Sequence, residues 1–182
     1  MIEVRIHGRG GQGAVIASKI LAVALFAEGK YVQAFPKFGV ERRGAPVEAF
    51  LRLDQGKILI RSEIEAPDHV VILDATLMET TDVTAGLAEG GWIIVNTGKT
   101  PDQFSHLGHY RVGCVDASSI AIAHKLGNKS APIVNTAICG AFSKCTGLVG
   151  LEAVCDAIQE EVPIHAEANV DAARQAFEDA AV

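Results

Sequence analysis

The sequence predicts an α/β fold in three layers, a mostly parallel β-sheet with helices on both faces and an added β-hairpin. Short apolar segments alternate with segments of helical period along the whole chain of 182 residues. The run 69–73 is apolar after His69, which is typical of a strand buried on both faces. No repeat and no linker rich in Pro, Gly or Ser divides the chain. We therefore expect a single domain over residues 1–182.

The first third of the chain predicts strands around a glycine-rich turn. Within residues 47–53 the apolar side chains at every second position alternate with Glu48, Phe50 and Arg52, the two-residue period of a strand. A helix follows the turn, and Gly29 marks its end. The expected elements are strands at 2–6, 31–35, 47–53 and 58–61 and a helix at 14–28, with 47–53 and 58–61 as the arms of the hairpin.

The remainder of the chain alternates strands with helices. The apolar spacing within 151–162 places one face of a helix against the core, and Gly147 marks the end of the helix before it. The expected elements are strands at 69–73, 92–96 and 110–115 and helices at 77–87, 118–126, 133–146, 151–162 and 170–180.

Composition indicates a soluble cytoplasmic protein with a substantial core. Hydrophobic residues make up 49% of the chain and the mean hydropathy is +0.25. The longest apolar stretch, 14–27, is interrupted by Ser18 and Lys19 and is shorter than the roughly 18 residues that a membrane span needs. No basic segment precedes an apolar one at the N-terminus, so we expect no signal peptide. The four cysteines lack the close spacing of cluster ligands, and we expect them to pack as small hydrophobes.

Charge is distributed unevenly along the chain. The net charge is −6, yet residues 1–61 carry ten basic and five acidic side chains, whereas residues 62–182 carry six and seventeen. An acidic protein with a basic first third does not suit nucleic acid over a broad face. It does suit a compact anion, such as a phosphate-bearing cofactor, at one place.

The most distinctive motif is a glycine-rich turn that follows the first strand and opens the first helix. Glycines let the backbone turn tightly and let a ligand approach, while a helix N-terminus offers free N–H groups and partial positive charge. The alternative is a turn that merely joins strand and helix. The candidate anion-binding residues are Gly8, Arg9, Gly10, Gly11, Gln12 and Gly13.

The second strand argues against a nicotinamide dinucleotide. A site of that kind places an acidic residue near the end of this strand, where it binds the ribose hydroxyls. Here the strand ends Gln33-Ala34-Phe35-Pro36, without a carboxylate. The lysine and Ser/Thr of a P-loop are also absent, which excludes ATP hydrolysis of that type.

A basic segment follows the second strand. Lys37, Arg42 and Arg43 surround the single acid Glu41 between residues 35 and 46. Arginine can bind phosphate or carboxylate oxygens through two donors, so these residues are candidates for the same anion site. The alternative is a solvated loop in which Glu41 pairs with an arginine.

The chain has no recognisable catalytic apparatus or metal site. His7, beside the glycine-rich turn, could act in acid–base chemistry but is more typical of a structural histidine. Motifs such as HExxH and GxSxG are absent. We therefore expect no catalytic residue and no metal ligand on this chain, which favours function inside a complex.

Several motifs together resemble the gamma subunit of 2-oxoacid:ferredoxin oxidoreductases of the pyruvate type. The resemblance spans essentially the whole chain, and the motifs occur in the order of that family. Arg9 is a departure, since small or apolar residues are common there. The motifs lie at 8–13, 35–46, 67–74, 135–141, 146–149 and 169–173.

The resemblance implies a subunit of a multi-chain enzyme that converts a 2-oxoacid and coenzyme A to an acyl-CoA, carbon dioxide and reduced ferredoxin or another reduced acceptor. It implies alpha, beta and ferredoxin-like delta partner subunits, with thiamine diphosphate, Mg and [4Fe-4S] clusters on those partners. It associates this chain with coenzyme A binding and assembly. The alternatives are the small subunit of an indolepyruvate-type oxidoreductase and a standalone nucleotide-binding regulatory domain.

Overall fold

A computed structural model describes residues 1–37 and 43–182. Within these ranges no helix is both long and apolar enough to cross a membrane. The strands are β1 (Ile2–Arg9), β2 (Tyr31–Pro36), β3 (Pro46–Asp54), β4 (His69–Ile72), β5 (Trp92–Asn96), β6 (Arg111–Val115), β7 (Gly127–Asn128) and β8 (Ala131–Pro132). The helices are α1 (Ala14–Ala27), α2 (Leu77–Thr80), a 3-10 helix (Pro101–Leu107), α3 (Ala117–Ala123), α4 (Asn135–Thr146), α5 (Leu151–Glu161) and α6 (Ala166–Asp179).

Six strands form one mixed sheet in the order β2-β3-β1-β4-β5-β6, and β7 and β8 form a separate antiparallel hairpin. The strands β1, β4, β5 and β6 are parallel to one another, and β3 is antiparallel to both of its neighbours. Five strands of the sheet therefore point in one direction and β3 alone points back. The predicted class, a mostly parallel α/β fold with an added hairpin, is confirmed.

The larger core lies on one face of the sheet. Helices α1 and α4 pack directly on the strands, while α5 and α6 pack on α1 and α4. This core contains the predicted apolar face of α5, including Val154 and Ile158, and three of the four cysteines. All four thiols are buried, and burial raises the pKa of Cys114 and Cys145 to about 11. They are packing residues, as the sequence predicted.

The helix predicted over 77–87 is wrong beyond its first turn. Helix α2 ends at Thr80, and Thr81 is extended. The carboxylate of Asp82 accepts hydrogen bonds from the N–H and hydroxyl of Thr84, a turn that competes with helix. Val83 and Leu87 are buried without being helical.

The strand predicted over 58–61 is also wrong. The structure assigns no strand there, and the side chain of Leu59 is 77% exposed. The reason is that β3 is flanked on one side by β2 and on the other by β1, so neither edge of β3 remains for a further strand. The sequence predicts an antiparallel partner of β3 that follows it in the chain. In the structure this partner is β2, which precedes β3.

The other face of the sheet buries charged side chains of β1 and β3. Arg5 donates from Nε to Nε2 of His7 at 3.1 Å and from Nη2 to the carbonyl oxygens of Val83 and Ala85. Arg52, 1% exposed, donates to Glu3 at 2.6 Å. The bonds from Arg5 attach residues 83–85 to the sheet. The carbonyl groups of Val83 and Ala85 accept these bonds in place of bonds within a helix.

We predict that Gly140→Ala destabilises the fold although alanine is the better helix former. A Cβ at residue 140, inside α4, would overlap the carbonyl oxygen of Ala173 in α6. Overpacking of this kind costs about 1–3 kcal/mol, more than the gain in helix propensity. Urea denaturation measures the effect, with Gly56→Ala as the control because its Cβ meets no atom within 4 Å. Equal stability of both variants would contradict the close packing of α4 on α6.

We predict that His7 makes the fold sensitive to acid. Burial, together with the charges of Arg5 and Lys37, lowers the pKa of His7 from 6.5 to about 4. Between about pH 6.5 and 4, His7 is protonated in the unfolded chain and neutral in the folded chain. The free energy of unfolding therefore falls as the pH drops through this range, by up to about 3 kcal/mol. Urea denaturation across this range should show a weaker pH dependence for His7→Gln. His109→Gln, at an exposed position, should retain the wild-type dependence; an unchanged slope in His7→Gln would refute the assignment.

Candidate functional site

The glycine-rich turn lies where the antiparallel half of the sheet meets the parallel half. β1 pairs with β3 as far as Arg9 opposite Pro46, and on its other side it pairs with β4. Beyond the strand, the N–H of Gly10 donates to the carbonyl of Ala45 at 2.9 Å, and the N–H of Gly44 donates to the carbonyl of Gly10 at 3.0 Å. Residues 43–46 therefore lie alongside the turn at the carboxyl edge of β1.

The turn itself is closed by Gln12. Its backbone N–H donates to the carbonyl of Arg9 at 2.9 Å, and its side-chain Oε1 accepts from the N–H of Arg9 at 2.8 Å. Gly11 occupies the third position of this β-turn with φ of 100°, a conformation that favours glycine. The turn is thus formed by local hydrogen bonds in addition to its glycines.

Gly13 brings the N-terminus of α4 against that of α1. It caps α1 with φ of 83°, and a Cβ there would lie 2.5 Å from Nδ2 of Asn135. Asn135 is 4% exposed, and its Oδ1 accepts from the N–H of Thr136. Its Nδ2 donates to no described residue, so an unpaired amide donor faces the start of α1.

Several backbone donors at the turn also remain without a partner. The N–H groups of Arg9, Gly10 and Gln12 bond to the protein itself. Within the described ranges, the N–H groups of Gly11, Gly13 and Ala14 donate to no atom. Together with the positive end of the 14-residue helix α1, they form a site suited to an anion.

Asp74, two residues beyond the end of β4, interacts with the side chains of Arg9 and Gln12 in the turn. Its Oδ2 accepts from Nε of Arg9 at 3.0 Å and from Nε2 of Gln12 at 3.2 Å. Its Oδ1 accepts from the N–H and hydroxyl of Thr76. Partial burial favours the neutral acid, but the hydrogen bonds and the charge of Arg9 outweigh it and lower the pKa of Asp74 below its ordinary value. Asp74 is therefore a carboxylate at neutral pH.

The basic residues predicted for the site have different surroundings. Lys37 pairs with Glu48 at 3.2 Å and Glu63 at 3.6 Å, and the hydrogen bond to Glu48 raises its pKa. Arg43 is exposed, its Cγ lies 4.0 Å from the position of a Cβ on Gly11, and it has no ion pair with the described residues. The predicted site residue Arg42, and Glu41 beside it, lie outside the described residues.

Sequence reasoning missed the contributions of Asp74, Thr76 and Asn135. Asp74 offered a signal, because a carboxylate directly after a strand that neighbours β1 must lie at the same sheet edge as the turn. Asn135 offered none, because only the packing of α4 against α1 brings its amide to Gly13.

Comparisons with known proteins identify the family. The profile described as pyruvate ferredoxin/flavodoxin oxidoreductase matches residues 3–179. A curated relative, the pyruvate/ketoisovalerate oxidoreductases common subunit gamma of Pyrococcus abyssi, is 54% identical over 182 residues, covering 98% of this chain and 96% of the relative.

Solved structures agree with this assignment. Pyruvate oxidoreductase subunit PORC from Thermotoga maritima has a TM-score of 0.82 at 38% identity, covering 98% of this chain and 96% of that one. A 2-oxoglutarate:ferredoxin oxidoreductase from Magnetococcus marinus, with 2-oxoglutarate, coenzyme A and succinyl-CoA bound, has a TM-score of 0.70 at 17% identity. The likeness covers 97% of this chain and 30% of that longer chain, and it establishes a shared fold.

The family match, the full-length relatives and the structural likeness all point to one assignment. The chain belongs to the pyruvate ferredoxin/flavodoxin oxidoreductase family, in which it is a gamma subunit of a 2-oxoacid:ferredoxin oxidoreductase.

Proposed function

We propose that this gamma subunit binds a phosphate group of coenzyme A at its glycine-rich turn. The enzyme it serves would convert a 2-oxoacid and coenzyme A to an acyl-CoA, carbon dioxide and a reduced acceptor such as ferredoxin. The observation that carries the proposal is the group of unpartnered N–H donors at Gly11, Gly13 and Ala14, described above, beside the exposed Arg43. Backbone donors at a helix N-terminus bind phosphate well because the helix dipole favours negative charge.

The amide of Asn135 adds a further donor to this surface. The residue is 4% exposed and its Nδ2 lies against Gly13. No fully buried side-chain nitrogen or oxygen of the described residues lacks a partner, so this nitrogen is open to solvent, and a ligand oxygen would replace water as its acceptor. Asn135 therefore extends the proposed phosphate site from α1 towards α4.

The other predicted residues would support the site in different ways. Gly8 allows β1 and α1 to approach, because a Cβ there would lie 3.3 Å from that of Ala14. Gly10 pairs the turn with residues 44 and 45 through its backbone N–H and carbonyl groups. Lys37 shares its charge with two carboxylates and would act on an anion only at longer range. Arg42, by its position in the basic segment, would supply charge beside Arg43.

Partner subunits would supply the redox cofactors. A gamma subunit implies partner subunits of the same enzyme, which we propose to be alpha, beta and ferredoxin-like delta chains. Among the described residues no group of three or more His, Cys, Asp or Glu could hold a metal ion. Cluster ligation needs thiolates, whereas burial raises the pKa of the thiols here. Thiamine diphosphate, Mg and the [4Fe-4S] clusters would accordingly belong to the partners, and the isolated chain would be inactive.

A role in assembly is favoured by apolar side chains next to the turn. Val15 is 39% exposed and Ile16 is 48% exposed, both in the first turn of α1. Exposed apolar side chains beside an anion site suit a contact with another subunit. We further propose that residues 1–182 act as one gamma domain in the cytoplasm, because four unpaired thiols fit a reducing compartment.

We predict that replacing both arginines of the basic segment, Arg42→Ala with Arg43→Ala, weakens coenzyme A binding by the assembled enzyme. Loss of charge-assisted contacts should raise the KM for coenzyme A about ten- to hundredfold, with the KM for the 2-oxoacid nearly unchanged. Steady-state kinetics of the purified complex measures both constants. The matched control is Arg61→Ala, since Arg61 is exposed and lies beyond β3.

The subunit composition of the double variant shows whether the two arginines bind coenzyme A or contact a neighbouring subunit. If the arginines instead pair with a neighbouring subunit, the double variant dissociates on size-exclusion chromatography, and the remaining complex binds coenzyme A normally. That outcome, or a normal KM in an intact complex, would contradict the anion site.

A further inference from the structure

We propose that Arg9 and Asp74 form a brace that positions the glycine-rich turn, and that Arg9 acts through the turn without contacting the ligand. Both are positioning residues for the coenzyme A site, so the inference rests on the proposed function. The sequence alone placed Arg9 among the ligand-binding cations because it lies within the glycine-rich motif.

Each of the three nitrogens of the Arg9 guanidinium donates a hydrogen bond to the protein. Its Nε donates to Asp74 at 3.0 Å, Nη1 to the carbonyl of Gly44 at 3.2 Å and Nη2 to the hydroxyl of Thr76 at 2.8 Å. One planar guanidinium therefore joins the end of β1 to the flank of the basic segment and to the residues after β4. These three contacts fix the plane of the guanidinium, and a phosphate could meet only its two remaining N–H groups without breaking them.

Asp74 completes the brace from the other side. It accepts four hydrogen bonds, two of them from Thr76 and one each from Arg9 and Gln12. The bond from Gln12 orients the Gln12 side chain. The Oε1 of this side chain then accepts from the N–H of Arg9 and closes the turn. The carboxylate thus fixes the turn and compensates the charge of Arg9. The side chains of Arg9 and Asp74 are 29% and 19% exposed, so solvent competes only in part.

The two possible roles of Arg9 predict opposite effects of the same substitutions. If Arg9 were a ligand for the anion, Arg9→Lys would keep the charge, and Asp74→Asn would release the guanidinium and tighten binding. If Arg9 is part of a brace, lysine fails, because one ammonium group cannot reproduce the planar fork that reaches three acceptors. Asp74→Asn then weakens binding as well, because Gln12 loses its orientation.

The test uses the assembled enzyme with Arg9→Lys, Asp74→Asn and the double variant. We expect each single variant to raise the KM for coenzyme A roughly tenfold, the size of a lost hydrogen bond to a charged group. The KM for the 2-oxoacid should stay unchanged, and the double variant should be no worse than either single one. Asp82→Asn is the matched control, since Asp82 binds Thr84 as Asp74 binds Thr76 but lies beyond α2.

Hydrogen exchange of residues 8–17, measured without coenzyme A, separates this inference from the proposed function. Faster exchange in both single variants supports the brace; if it accompanies an unchanged KM, the brace stands and the coenzyme A site is overturned. A wild-type KM for Arg9→Lys together with a lower KM for Asp74→Asn overturns the brace. Wild-type exchange in both variants also overturns it.

Discussion

The pairing of β1 with two strands of opposite direction determines where every other part of the candidate site lies. On one side β3 runs antiparallel along the full length of β1, so the first residue of β3 lies beside the last residue of β1. On the other side β4 runs parallel, so Asp74 follows at the same edge. The turn, residues 43–46 and Asp74 therefore converge although they are far apart in sequence. Moving either strand by one residue would reverse the faces of its side chains and separate these groups.

The charges at this edge are largely compensated by the protein. The basic first third of the sequence predicts a collection of cations around the turn, yet Arg9 pairs with Asp74 and Lys37 with Glu48. Arg5 and Arg52 lie buried on the sheet, where they bond to other protein groups. At the proposed site, an anion would therefore be bound by backbone N–H groups and by Arg43, and not by Arg9 or Lys37.

Sequence predicted the elements whose local signals agreed with their packing. The turn between β1 and α1 and the helix end at Gly147 follow from local chemistry, since both need positive φ angles that glycine adopts. The end of α2 and the absence of a strand at 58–61 could not be predicted in this way. The end of α2 depends on Arg5, which donates a hydrogen bond to a carbonyl group far away in sequence. The absence of the strand depends on β2 and β1, which occupy both edges of β3. The position of Asn135 likewise depends on tertiary packing alone.

The most direct test of the account is a cryo-EM structure of the assembled enzyme with coenzyme A. We expect phosphate oxygens within roughly 3.2 Å of the N–H groups of Gly11 and Gly13, with Arg9 still bonded to Asp74. Coenzyme A bound elsewhere, with the glycine-rich turn packed against a partner subunit, would contradict it.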